Sequence, residues 1–148
     1  MPTMFDPARH AEIRSRLMAL KPDAARRWGR MSAAQMVAHL SDQMRHSLGD
    51  RPCAPVRGPL RWRLARYLSI YWVPWPKGRV SGPPEAFLSK PSGWEADVKA
   101  LEGLLERFVR KGPGGDWPEH ALFGTMTGRD WGAFCYKHFN HHLSQFGM

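Results

Sequence analysis

The sequence predicts an all-α chain, a four-helix bundle forming a single domain over residues 1–148, and three observations lead there. Four segments repeat apolar residues at helical spacing, each opens with a cap signal, and alternating apolar–polar runs of strand type are absent. With 148 residues, 43% of them apolar, the chain is long enough to bury one core.

The first helix is expected at about 6–21. Asp6 can cap it, Pro7 suits its first turn, and Ile13, Leu17 and Leu20 form its apolar stripe before Lys21-Pro22 stops it. The second is expected at 32–48. Ser32 and Gln35 have capping-box spacing, Met31 and Met36 that of a hydrophobic staple, and Met36, Leu40, Met44 and Leu48 run down one face to Gly49. The third is expected at 92–110, with Ser92 and Glu95 again at capping-box spacing and Trp94, Val98, Leu101, Leu105 and Phe108 as its seam. The fourth is expected at 128–145. Thr127 caps it, Met126 and Trp131 repeat the staple, and Trp131, Phe134, Cys135, His138, His142 and Phe146 share one broad face.

Between the second and third helices lies a Pro-rich connection, residues 49–91, far longer than the ~2–8 residues usual between antiparallel neighbours. It permits a crossover, with those two helices roughly parallel. Within it "LRWRLARYLSIYW" predicts a short helix with Leu60, Leu64, Tyr67 and Tyr71 inward. That helix either covers one end of the bundle or rests its Arg-rich side on a membrane surface.

The net charge is +9, unevenly placed: residues 1–66 hold 13 Lys/Arg against 5 Asp/Glu, residues 67–148 hold 9 against 8. A basic half suits nucleic acid, anionic lipid or an acidic small molecule, or is simply a solvated face. No groove-reading motif is present, which makes nucleic acid the weakest of these. No run approaches ~20 apolar residues, so no membrane span is expected, and "MPTMFDPARHAEIRSR" lacks the apolar core of a signal peptide. The two cysteines, Cys53 and Cys135, make no disulfide scaffold, and a reducing cytoplasm is the default location.

The closing stretch "YKHFNHHLSQFG" concentrates histidines on the last helix. His138 and His142, four apart, lie on one face; His141 can also approach His138. Such a pair can hold a transition metal, or can merely favour the dipole at a helix end. His39, at the edge of the second helix's apolar face, shifts the balance. Seven residues past its cap, it lies ~10 Å along a helix of ~25 Å, and His138 lies ~16 Å along its own. Opposed second and fourth helices bring the two level.

The run from Trp28 to His39, Trp-x-x-Met-Ser-x-x-Gln-x-x-x-His, resembles the DinB-like (damage-inducible) metalloproteins, and so does the closing "HFNHHLSQFG". "PWPKGRVSGPPEAF" and "HALFGTMTGRDW" are similar to an uncharacterised subgroup of that superfamily. The resemblance spans Trp28 to Met148. It implies a bundle of up-down-down-up topology and a divalent metal, usually nickel or zinc, held by His39, His138 and His142, with His141 a spare neighbour. Relatives include thiol-dependent transferases and isomerases using bacillithiol, mycothiol or glutathione.

Three histidines with open positions suit a catalytic metal more than a closed structural one. Asp42, one turn beyond His39, is a candidate base or a partner that orients the ligand, and Arg45 a candidate grip on cofactor carboxylates. Helix four lacks "HExxH", since Phe139 follows His138, and the shortage of acids favours thiol activation over hydrolysis. Cys135 is read as a buried inert thiol rather than a fourth ligand. The expected activity is therefore a metal-dependent thiol transferase or isomerase acting on a small thiol or electrophile, the alternative a non-catalytic metal-binding stress module. A homodimer is compatible with either.

Overall fold

The computed structural model describes residues 1–78 and 84–148; residues 79–83, within the "PWPKGRVSGPPEAF" stretch, lie outside the described residues. Five helices follow one another: α1 Pro7–Ala19, α2 Ala33–Leu48, α3 Arg63–Tyr71, α4 Trp94–Lys111 and α5 Gly128–Ser144. Short 3-10 turns occupy Pro59–Arg61 and Pro84–Phe87. No strand occurs among the described residues, only one isolated bridge between His120 and Gly124.

The helix starts are where short side chains can satisfy open backbone donors. Asp6 accepts from Ala8 N at 2.9 Å. Ser32 and Gln35 form the reciprocal box, and Thr127 forms a second one with Asp130. Gly49 ends α2 in the left-handed conformation, with φ 82°, which glycine adopts without strain. At α4 the expected box of Ser92 and Glu95 does not form. The cap is Gly93, and Asp97 reaches back instead, accepting from Ser92 N at 2.8 Å, Ser92 Oγ at 2.5 Å and Gly93 N at 3.1 Å. One carboxylate one turn in takes three donors, which a glutamate at position 95 does not match.

The stripes meet in one core that includes Ile13, Leu17, Met36, Leu40, Leu101, Phe108, Trp131 and Phe139. Phe5 stacks on Phe108 at 5.2 Å and Arg14 pairs with Glu102, joining α1 to α4. Tyr136 meets Glu12 at 3.4 Å and Asn140 meets Arg16 at 2.8 Å, joining α1 to α5. A Cβ at Gly132 would stand 2.4 Å from Thr3 Oγ1 and 2.5 Å from the Phe5 ring. Only glycine lets the amino-terminal segment lie this close to α5, where Met4 N donates to the Gly132 carbonyl at 3.0 Å. Cys135 Sγ lies 3.7 Å from Met44 Sδ between α2 and α5, and Arg107 pairs with Asp50 at 2.8 Å beyond the end of α2.

The connection contains the expected short helix, but its face is turned. Leu64 is 69% exposed and Tyr67 50%, while Leu60 and Tyr71 are half-buried and Ile70 is the buried residue. The reason lies on α5. Lys137 Nζ donates to the carbonyls of Ser69 and Val73, each at 2.7 Å, and of Ile70 at 3.3 Å. Arg66 donates to the Phe123 carbonyl at 3.1 Å. These polar anchors fix the rotation of α3, and the apolar stripe faces out. Lys137→Met keeps the aliphatic stem but removes the ammonium donor from the Ile70 and Val73 carbonyls, and leaves Ser69 with Trp75 Nε1 at 3.1 Å. It should destabilise the protein by roughly 1–3 kcal/mol in urea unfolding. Amide exchange should accelerate in α3 before α4.

Candidate metal centre

The three histidines expected from the sequence come together. His39 Nε2 lies 3.1 Å from His138 Nε2 and 3.2 Å from His142 Nε2, and the last two are 2.9 Å apart. All three residues are buried, and their ligand atoms form a group able to hold one ion. His138 and His142 share a face because they are one helical turn apart on α5; His39 meets them because α2 crosses at that level.

Their outer nitrogens decide the chemistry. His39 Nδ1 donates to the Ala86 carbonyl at 2.7 Å, and His142 Nδ1 donates to Gln145 Oε1 at 3.0 Å. With those protons placed, the Nε2 atoms of His39 and His142 both carry lone pairs, facing each other at 3.2 Å. His138 Nδ1 is buried with no hydrogen-bond partner. A proton on His138 Nε2 can serve one neighbour, and the other lone-pair contact stays repulsive. A divalent cation removes the conflict, and ligands at about 2.0–2.1 Å from a tetrahedral ion lie about 3.3 Å apart, close to the spacings here.

Burial lowers the pKa of all three. His138 is held well below the usual imidazole range, by burial first and then by His142 and His39. His142 is pushed down to about 3 by burial and then by His39, with Gln145 opposing. His39 is lowered by burial, with the Ala86 carbonyl and Asp42 opposing. Each is therefore neutral at pH 7, the state a metal requires.

Asp42 is not solvated, and it does not touch the triad. Only 1% exposed, it accepts from Ser89 N at 2.7 Å, Ser89 Oγ at 2.5 Å, Arg51 at 2.7 Å and Arg45 at 3.4 Å. Those bonds fasten the segment carrying the Ala86 carbonyl and Phe87, whose ring stacks on His39 at 4.6 Å. Asp42 thus orients His39 through that segment. Arg45 is turned to Asp42 rather than to the triad. Cys135 is buried against Met44, burial raises its pKa, and it lies outside the histidine group. His141 sits beside the triad with its ring 4.8 Å from Trp28 and 5.6 Å from Trp75.

The triad opens on a cavity of about 600 Å³ whose apolar walls include Met31, Leu60, Trp75, Phe87, Phe123 and Phe134. Sequence reasoning missed Gln145, though it stands one turn beyond His142, and His120. His120 Nδ1 accepts from Leu122 N at 3.1 Å and Phe123 N at 3.3 Å. It also missed Phe87 and the Ala86 carbonyl, for which no local signal exists. Comparison of the chain with protein families, curated proteins and solved structures finds no match.

Two outcomes test this architecture. Asp42→Ala strands Ser89 and two arginines, and should cost about 3 kcal/mol in urea unfolding. Burial also holds His120 down to about 3. In metal-free protein His120 and His142 stay neutral in the fold, whereas the unfolded chain takes up protons near 6.5. The unfolded state then binds more protons below that pH, so stability falls as pH drops from about 6.5 toward 3. Unfolding free energies from urea titrations at pH 7.5 and 4.5 should differ by on the order of 2 kcal/mol per histidine.

Proposed function

We propose that this chain is a DinB-like metal-binding protein. His39, His138 and His142 hold one divalent ion, nickel or zinc, within an up-down-down-up four-helix bundle. The observation that carries the reading is the meeting of three buried Nε2 atoms, two of them with their opposite nitrogens already committed to acceptors. Imidazole-only donor sets suit zinc, nickel, copper and iron, and the resemblance narrows these to the first two.

The order of contacts supports the topology. Phe5 with Phe108 and Arg14 with Glu102 run oppositely along α1 and α4, whereas Glu12 with Tyr136 and Arg16 with Asn140 run together along α1 and α5. His39 with His142 and Met44 with Cys135 run oppositely along α2 and α5. These senses favour parallel α2 and α4, which the long connection allows.

A divalent ion at three imidazoles keeps positions open, and lowers the pKa of a bound water or thiol. The apolar cavity wall, and Phe139 where a HExxH helix has its glutamate, favour a nucleophile that arrives with the ligand, a low-molecular-weight thiol. The chain's own part is to orient the triad through Ala86 and Gln145, and to shelter an apolar partner against Trp75, Phe87 and Phe134. Arg45, held by Asp42, has no role in this reading.

Metal analysis tests it. Purified protein should carry about one divalent ion per chain, His142→Ala should lose most of it, and His141→Ala should keep it. Added nickel or zinc should raise the melting temperature, since binding to the folded state alone shifts unfolding. Equal metal content in wild type and in single alanine variants of His39, His138 and His142 would reject the centre. In cobalt-loaded protein, glutathione should introduce a thiolate charge-transfer band; without such a band the metal reading stands and the thiol reading fails.

A further inference from the structure

Amphipathic helices of globular domains bury their apolar stripe. α3 does the reverse. Leu64, Tyr67, Leu68 and Trp72 lie on its outer side, all exposed, while Ile70 and the anchored Arg66 face inward. Single exposed apolar residues are ordinary, but a contiguous group is not. Of the eleven large hydrophobic residues exposed among the described residues, nine fall between Val56 and Leu88. Exposure is therefore concentrated in this connection, Met1 and Met18 being the two outside it.

The charge of the same segment says what covers it. Residues 51–78 contain six Lys/Arg and no Asp/Glu. Arg57 and Arg63 are exposed with no ion pair among the described residues. Trp62, Tyr67 and Trp72 accompany them, all exposed, side chains whose rings favour the level of lipid headgroups. A basic flank, an aromatic-rich apolar face and a short helix lying along the surface are the features of an interfacial helix. A second copy of the chain fits poorly, because two-fold pairing sets like charges against like with no acid to answer them.

We propose that α3 docks this protein on an anionic lipid surface, with Leu64, Leu68 and Trp72 in the headgroup–acyl boundary and Arg57 and Arg63 among the phosphates. Leu60 and Trp75 of the same segment line the cavity, so docking places the cavity's rim at the membrane. This inference is independent of the metal.

Flotation with vesicles tests it, using phosphatidylcholine alone and phosphatidylcholine with phosphatidylglycerol. Wild type should bind the anionic vesicles with a blue shift of tryptophan emission, and salt should weaken the binding. Leu68→Glu and Trp72→Glu alter exposed positions, so circular dichroism should be unchanged while binding falls at least about tenfold, two half-exposed apolar contacts being replaced by charge. Arg63→Ser should weaken it about fivefold. Failure of wild type to bind anionic vesicles, equal binding to neutral ones, or undiminished binding by Leu68→Glu would overturn the proposal. So would a wild-type dimer in sedimentation that Leu68→Glu converts to monomer, since the face would then belong to a second copy.

Discussion

Three imidazole Nε2 atoms within 3.2 Å of one another, with at most one proton to share, form a contact that a protein interior does not make without reason. Neutral rings repel there, and each ring must be held by something else. Ala86 holds His39, Gln145 holds His142, and the rings of Phe134 and Trp75 pack at 5.4 and 5.8 Å from His138. The fold around them serves the same end. α2 and α5 supply the nitrogens, the amino-terminal segment pins α5 at Gly132, and the crossover returns to α2 to deliver one carbonyl.

What was legible in the sequence was local. Ser32 with Gln35 and Thr127 with its first turn announce their helices because a cap needs only neighbours three residues away. His138 and His142 share a face by helical geometry alone. Asp42 was not legible. Its partners Ser89 and Arg51 come from a loop whose path the periodicity does not contain, so base and orienting partner stayed equal alternatives for an aspartate that is a buried anchor. Glu95 and Asp97 differ by two residues, and only the path of Ser92 into α4 selects the second. The rotation of α3 was misjudged for a related reason: Leu60, Leu64 and Tyr67 carry the pattern of a buried stripe, while Lys137, from another helix, sets the orientation.

The crossover unites these points. Its far end brings Ala86 and Phe87 to His39 under the hold of Asp42, its middle forms cavity wall, and α3 turns apolar side chains away from the core. A link between antiparallel neighbours needs a handful of residues, and one that runs the ~24 Å back along α2 about ten. The extra length places backbone and rings where the helices themselves cannot reach.

His39 stands 99 and 103 residues from its two partners along the chain. Contacts of such separation form late, after the loop between them has closed around a largely built core. A nucleus built on shorter-range contacts would assemble without the triad. An ion bound there would leave the folding rate almost unchanged and act on the unfolding rate, as stabilisation absent from the transition state does. The protein's resistance to unfolding would then be a matter of lifetime, set in part by how tightly this long-range contact is held.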